Sequence, residues 1–151
     1  MALSELRVGE FLAALGERTP SPASGAATAL TAALAAALVE LAGRFAGDEA
    51  SVVRAKTLWS RLSELADEDS EAYAAFMADR NEQNRARIVA VPEEIAACAD
   101  EIAALAEHVR GQLSSSVVGD ADAARELAQA AARVARRLAD CGHVLDGHDH
   151  L

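Results

Sequence analysis

The sequence predicts an all-α protein, a dimeric bundle of about five helices with a central alanine-rich helix. The composition favours helices over sheets, because 52% of the residues are hydrophobic and only 3% are aromatic. Alanine is the strongest helix former, whereas strands favour the β-branched and aromatic residues that are scarce here. A chain of 151 residues suits one domain with a single core. We expect that domain over 1–140 and a flexible tail over 141–151.

The first two helices differ in character. The first is short and amphipathic and ends near Gly16; its apolar residues at helical spacing are Val8, Phe11, Leu12 and Leu15. After the turn 20-PSPASGA-26, a second helix over 26–46 consists almost entirely of small and apolar residues. A helix that is apolar on every face has to be surrounded by its own bundle or by a partner chain. We expect a homodimer that shares this helix across a two-fold axis, with a fully wrapped monomer as the alternative.

Apolar stripes predict the other three helices. Helix three runs over 49–79, and its stripe is Val52, Trp59, Leu62, Ala66, Tyr73 and Phe76. Pro92 interrupts or starts the next helix, since proline is tolerated at the first helical position. The buried face of that helix is Ile95, Cys98, Ile102, Leu105, Val109 and Leu113. Asp120 is expected to be the N-cap of a last helix with the face Leu127, Ala131, Val134 and Leu138.

Charge and hydropathy argue against two classes of partner. The net charge of -10 argues against nucleic acid, which needs a basic face. The apolar run over 26–41 is shorter than the about 20 strongly apolar residues that span a membrane.

The N-terminus MALSELRVGEF lacks a basic flank before an apolar run, so it does not predict a targeting segment. Cys98 and Cys141 fit no CxxC pattern, which predicts free thiols in a reducing cytoplasm.

Asp69 is the residue that most suggests chemistry. It lies in the apolar stripe of helix three, where the successive spacings are four, three, four and three in the series Leu62, Ala66, Asp69, Tyr73 and Phe76. Burying a carboxylate is unfavourable unless it is paired or protonated. Two interpretations are open: an acid or base whose pKa is raised by burial, or a structural ion pair with an arginine such as Arg44.

Other polar groups give weaker signals. Glu40 and Arg44 lie one turn apart in the favoured order and are expected to pair with each other. The turn 20–26 leads into a helix N-terminus, which is a natural anion site. The tail carries groups with metal-ligand chemistry, namely His143, Asp146, His148, Asp149 and His150. Because unordered ligands must be fixed at an entropic cost, we predict no resident metal.

Five segments follow one another in a characteristic order: FLAAL, ERTPSPASGAATALTAALAAALVELAGR, LSELADEDSEAYAAFM, VPEEIA and SSSVVGDADAA. Together they resemble the cyclodeaminase/cyclohydrolase family, which includes the cyclodeaminase domain of formiminotransferase-cyclodeaminase and stand-alone methenyltetrahydrofolate cyclohydrolases. The resemblance covers residues 10 to about 138. Its clearest element is the combination of the turn before the alanine helix with the DEDSEAY segment.

The resemblance implies an all-helical dimer that binds a tetrahydrofolate derivative, with no metal, near the turn and the alanine helix. The implied reaction releases ammonia from 5-formiminotetrahydrofolate or adds water to 5,10-methenyltetrahydrofolate. Asp69 matches the family's motif as the proton shuttle, and Asp120 matches the acidic residue of the later loop. The residues implied to bind substrate are Ser24 and Gly25 on the pterin side, Tyr73, and Arg85 or Arg87 at the glutamate tail.

One departure from the family keeps a second interpretation open. The family usually has a run of glycines followed by serine after the proline, where this chain has 22-PASGA-26 and keeps only Gly25. Glycines let the backbone approach a ligand closely. Their loss favours a non-catalytic helical dimer that serves as a binding or scaffold module, whereas Asp69 on an apolar face favours the enzyme.

Overall fold

The protein is built from a short first helix and four long ones. The computed structural model describes residues 1–148, and the side chains of residues 1–143. After a 3-10 turn at Leu3–Glu5, the helices are α1 (Val8–Gly16), α2 (Ser24–Ala46), α3 (Glu49–Ala78), α4 (Glu82–Arg110) and α5 (Gly119–His148). The described residues contain no strand, so the predicted all-α class with five helices is confirmed.

Local chemistry sets the boundaries of the long helices. Gly47 ends α2 with a φ of 68°, a left-handed conformation that glycine adopts without steric cost. The Asp48 side chain caps α3 by accepting from the Ser51 N–H at 3.1 Å. Asn81 caps α4 by accepting from the Asn84 N–H at 2.8 Å. Because the connections are short, consecutive long helices run antiparallel.

The alanine-rich α2 lies at the centre of the bundle. It contacts α3, α4 and α5, while α4 packs along α5 and α3 packs on α4. The buried face of α2 is almost entirely alanine, with Ala26, Ala29, Ala32, Ala35, Ala36 and Ala42 around Val39. Small side chains let the helix axes approach closely, which explains why a helix of this composition occupies the centre.

The opposite face of α2 is apolar but exposed. Leu34 is 64% exposed and Phe45 67%. Within the described part of the chain, α2 is the one helix long and apolar enough to cross a membrane, and half of its 18-residue apolar window is buried in the bundle. The short α1, which was predicted to be amphipathic, has no buried residue.

Pro92 lies inside α4, so the alternatives of a helix start or an interruption at this residue were wrong. The Asn81 cap already starts the helix at Glu82. Pro92 is buried, and α4 continues past it. Packing against the neighbouring helices stabilises the helix at this point. The proline still removes the N–H that would bond to the carbonyl of Ile88, four residues earlier.

The last helix differs from its prediction in three ways. It begins at Gly119, so Asp120 lies in the first turn and is not the N-cap. It continues to His148 instead of ending before a flexible tail at 141, and residues 149–151 lie outside the described residues. Its buried face is an alanine stripe, whereas Leu127 is 38% and Val134 43% exposed. Close helix contact selects the smaller side chains, so the larger apolar residues of the predicted face lie outside it.

The stripes of α3 and α4 agree better with their predictions. On α3, Val52, Leu62, Ala66 and Phe76 are buried. Trp59 is half-buried, and its Nε1–H donates to Glu40 at 2.9 Å. On α4, the buried members of the predicted face are Ile95, Ile102 and Val109, while Cys98 and Leu105 are half-buried. Leu113 is half-buried too but lies beyond the end of the helix.

Candidate functional site

One end of the bundle holds a cavity of about 290 Å³. Its wall combines the turn before α2, the first turn of α2, the second half of α3, the first half of α4 and the end of α5. The lining residues that carry the argument below are Ser24, Gly25, Asp69, Tyr73, Ile88 and Gly142. The antiparallel bundle therefore brings together segments that are far apart in the sequence.

Asp69 lies in the cavity wall, with no charged partner among the described side chains. Among residues 1–143, whose side chains are described, no group donates a hydrogen bond to it, and burial alone raises the pKa of its carboxyl group. The neighbouring acids are engaged elsewhere: Asp67 accepts from the Leu3 N–H at 3.0 Å, and Glu68 pairs with Arg61 at 2.7 Å.

The alternative of an ion pair between Asp69 and Arg44 was wrong. Arg44 pairs with Glu40 at 2.8 Å, as the spacing of these two residues predicted. Glu40 also accepts from the Trp59 indole, so both of its oxygens are used. Asp69 is thus left as a partly buried carboxyl group that faces a cavity.

Gly25 makes the position of Asp69 possible. A Cβ added to Gly25 would overlap the carboxylate of Asp69, because the two residues touch where α2 begins beside α3. A glycine is therefore required here by close approach and not by backbone conformation. Gly25 is the one glycine in the segment 22-PASGA-26, and it is the residue that the Asp69 carboxylate contacts.

The first turn of α2 offers hydrogen-bond donors at the cavity. Ala23 precedes the helix in an extended conformation and contributes no side-chain cap. The N–H groups at a helix start have no intrahelical partner and carry partial positive charge. Since Ser24 and Gly25 line the cavity, this turn suits a carbonyl or anionic group of a ligand.

The cavity wall on α4 contains a helical carbonyl that lacks its usual donor. Pro92 provides no N–H for the Ile88 carbonyl. Gly142 of α5 packs against the same group: an added Cβ would lie 3.1 Å from the Ile88 carbonyl oxygen and 2.9 Å from Cγ2 of Val89. Ile88, Pro92 and Gly142 all line the cavity.

Comparison with known proteins assigns the family. The sequence model described as formiminotransferase-cyclodeaminase matches residues 7–139. The chain belongs to this family. The crystal structure of a formiminotetrahydrofolate cyclodeaminase from Thermotoga maritima shares the fold, with a TM-score of 0.88 over 93% of this chain and 79% of that chain, at 21% sequence identity. None of the curated proteins matches the chain in sequence.

In this member of the formiminotransferase-cyclodeaminase family, the structure brings four of the predicted site residues to one cavity: Ser24, Gly25, Asp69 and Tyr73. It does not bring Asp120 there. Asp120 lies in the first turn of α5, whereas the cavity is lined by the other end of that helix, from Leu138 onward. At 1.5 Å per residue the two positions are about 27 Å apart, so within one chain Asp120 lies far from Asp69.

The two predicted arginines lie on α4 beyond the cavity wall. Arg85 is half-buried and precedes Ile88 by one turn, so it shares the helix face of the α4 residues that line the cavity. Arg87 is half-buried too, but its spacing puts it on a different face.

The prediction from sequence missed the contribution of α5 to the site. Leu138, Cys141 and Gly142 line the cavity, and the last two fall in the segment predicted to be a tail. The signal that points to them is the isolated glycine, which inside a helical pattern usually has a packing reason. Both cysteines are free thiols, as predicted.

The tail groups with metal-ligand chemistry lie only partly within the described residues. His143 lies 3.5 Å from Glu93. The side chains of Asp146 and His148, and all of 149–151, lie outside the described residues. The described residues contain no group of three or more potential metal ligands.

Proposed function

We propose that the protein is a folate-dependent one-carbon enzyme, which releases ammonia from 5-formiminotetrahydrofolate or adds water to 5,10-methenyltetrahydrofolate. The observation that carries this proposal is the Asp69 carboxyl group in the cavity wall, whose pKa is raised by burial. Membership of the formiminotransferase-cyclodeaminase family supports it. A titratable group with a perturbed pKa in a cavity is a general sign of a functional site.

Both reactions move protons at a one-carbon centre, which is the task proposed for Asp69. In ammonia release, the attacking nitrogen of the folate loses a proton and the leaving nitrogen gains one. In water addition, the attacking water loses a proton. A carboxyl group with a raised pKa holds and releases protons closer to neutral pH than an ordinary aspartate, which suits general acid and base catalysis.

The cavity encloses one end of the proposed substrate. Its volume of about 290 Å³ lies near the lower limit of ligand sites, which span roughly 300–1,000 Å³. We assign the pterin ring and its one-carbon unit to the cavity, against Ser24, Gly25 and the ring of Tyr73. The glutamate tail then extends outside, toward Arg85 or Arg87 on α4.

The alternative is a non-catalytic helical dimer that serves as a binding or scaffold module. The observation in its favour is Ala23 and Ser24 in the segment where the family usually has glycines. Against it stands Gly25, since the glycine that the Asp69 carboxylate contacts is retained. A partly buried carboxyl group that has no partner among the described side chains is unfavourable for folding, which argues for a functional reason to keep it.

The test follows the absorbance of 5,10-methenyltetrahydrofolate. Its loss above the rate in buffer indicates water addition, and its formation from 5-formiminotetrahydrofolate indicates ammonia release. Asp69→Asn should lower the rate about 10²-fold or more, the range of general acid and base catalysis. Asp120→Asn is the matched control and should keep the wild-type rate. If the wild type is no faster than buffer with both compounds, the non-catalytic module is the better interpretation. If Asp69→Asn keeps the wild-type rate, Asp69 is not a catalytic residue.

We propose that the protein works as a homodimer through the exposed face of α2. Leu34 and Phe45 of α2 are 64% and 67% exposed, and Val8 and Leu12 of α1 are 76% and 60% exposed. An apolar groove of about 560 Å³ lies between the two helices. In a dimer with two-fold symmetry, this surface would pack against the same surface of the second copy. Such a dimer would cover all four side chains.

We further propose a cytoplasmic location, no resident metal and no nucleic-acid or membrane partner. The free thiols of Cys98 and Cys141 suit a reducing compartment. The net charge of -10 opposes binding to phosphate backbones and to anionic lipid. The proposed dimer would bury the apolar face that α2 leaves exposed.

A further inference from the structure

The carbonyl oxygen of Ile88, a residue of the cavity wall, lacks the donor that an α-helix usually provides. Its usual donor four residues later is absent because that residue is Pro92. Gly142 packs against the carbonyl but has no Cβ to cover it. Buried backbone carbonyls normally have a partner. A ligand in the cavity is placed to supply it.

We propose that the Ile88 carbonyl accepts a hydrogen bond from the one-carbon nitrogen of the substrate, in the cavity whose α3 wall holds Asp69. This inference rests on the proposed folate reaction. It also chooses between the two forms of that reaction, because it assigns the site to an amidine, the formimino group of 5-formiminotetrahydrofolate.

The choice follows from what each substrate can donate. A formimino group carries N–H donors, whereas the one-carbon bridge of 5,10-methenyltetrahydrofolate carries only C–H. A carbonyl oxygen accepts and cannot donate. Ionised Asp69 is also an acceptor, so the two groups together suit a protonated formimino nitrogen with two N–H bonds.

The carbonyl holds the leaving nitrogen while Asp69 moves the proton. The neighbouring amine nitrogen of the folate attacks the formimino carbon with its lone pair and forms the new C–N bond. Asp69 takes the proton from the attacking nitrogen and passes it to the leaving nitrogen. The old C–N bond breaks with its electron pair on that nitrogen, and ammonia departs. The carbonyl dipole stabilises the positive charge on the leaving nitrogen before the bond breaks.

The test changes the donor on α4 and leaves the other side chains of the cavity intact. Pro92→Ala supplies an N–H that bonds to the Ile88 carbonyl, and alanine favours the helix. The matched control has lactic acid at position 92, because its ester oxygen carries no hydrogen and leaves the carbonyl open. Each protein is assayed for turnover of 5-formiminotetrahydrofolate and for binding of 5-formyltetrahydrofolate, in which an oxygen replaces the N–H donor.

The readout is the ratio of kcat/KM for the formimino compound to the association constant for the formyl compound. Pro92→Ala should lower this ratio about tenfold, the effect of one lost hydrogen bond to a charged donor. The lactic acid variant should keep the wild-type ratio. Gly142→Ala, whose Cβ would cover the carbonyl, should lower the ratio too. A change in cavity shape alone would affect both compounds together.

The outcomes separate this inference from the proposed function. An unchanged ratio in Pro92→Ala, or an equal decrease in the lactic acid variant, overturns the role of Ile88 and leaves the folate enzyme standing. A wild type that turns over only 5,10-methenyltetrahydrofolate also overturns it. A wild type that neither binds nor converts any of the three folates overturns the proposed function itself.

Discussion

Gly25 and Asp69 are in direct contact, with the first turn of α2 lying against the carboxylate on α3. The contact joins the start of α2 to the second half of α3, the next helix in the sequence. It holds the carboxylate between the backbone of α2 and the cavity, where burial raises its pKa. Position 25 must be a glycine for this arrangement, because any Cβ there would overlap the carboxylate.

Gly25→Ala should therefore impair both stability and activity. The new Cβ would overlap the carboxylate, so either Asp69 or the start of α2 has to move. Overpacking of this kind costs typically about 1–3 kcal/mol of unfolding free energy. Urea unfolding measures that loss. The folate absorbance assay should show a decrease of at least about tenfold, because small displacements of a catalytic group reduce rates strongly.

The matched control for this substitution is Gly9→Ala. Gly9 lies in α1, and an added Cβ there would meet no atom within 4 Å. Alanine is favoured over glycine inside a helix by roughly 1 kcal/mol, so this variant should be at least as stable as the wild type and equally active. Equal losses in both variants would show that the contact with Asp69 is not the cause.

Asp69→Asn should increase stability at neutral pH while it removes activity. Burial raises the folded pKa of Asp69 above its ordinary 3.8, so the folded state binds the proton more tightly than the unfolded chain. As pH rises from 3.8 through the folded pKa, the wild type loses stability that the neutral asparagine keeps. Thermal unfolding at neutral pH should therefore give Asp69→Asn a higher Tm than the wild type.

The pH dependence distinguishes this effect from a general improvement in packing. The difference in Tm between Asp69→Asn and the wild type should be small below pH 3.8, grow as pH rises, and become constant above the folded pKa. A difference that is the same at every pH would contradict the role of charge burial.

The sequence was sufficient for the features that depend on periodicity. A carboxylate at spacings of three and four within an apolar stripe has to lie on the buried face of its helix, which is why Asp69 was found. In the same way, the one-turn spacing of Glu40 and Arg44 predicted their ion pair, which measures 2.8 Å. Local rules of this kind need no knowledge of the tertiary arrangement.

Features that depend on packing between helices were not predictable in the same way. Pro92 lies within α4 because neighbouring helices hold the chain there, and no local signal reports them. The family resemblance assigned Asp120 to the site, but Asp120 lies in the first turn of α5, at the far end of the bundle. Leu127 and Val134 looked like core residues, yet the close approach of α5 to the bundle selects the alanines between them.

Leu34→Glu should convert the proposed dimer into a monomer. Leu34 is 64% exposed on the apolar face of α2, so a glutamate there is tolerated by the isolated chain but would bury a charge in the dimer. Light scattering coupled to size-exclusion chromatography measures the mass directly. Leu127→Glu on α5 is the matched control, since Leu127 lies outside the proposed interface, and it should remain dimeric. A monomeric wild type would overturn the dimer.

Asp48 should govern stability in acid at the end of the bundle opposite the cavity. Hydrogen bonds from the Ser51 hydroxyl, the Gln112 amide and the Ser51 N–H lower the pKa of Asp48 to about 2. Its contribution is present above its ordinary value of 3.8 and is lost as pH falls toward 2. Asp48→Asn keeps a capping side chain but loses the charge, so its stability should converge with that of the wild type as pH falls through this range. Urea unfolding between pH 2 and 6 measures the unfolding free energy of both proteins as a function of pH. If the two curves stay parallel, the charge of Asp48 does not contribute to stability in this range.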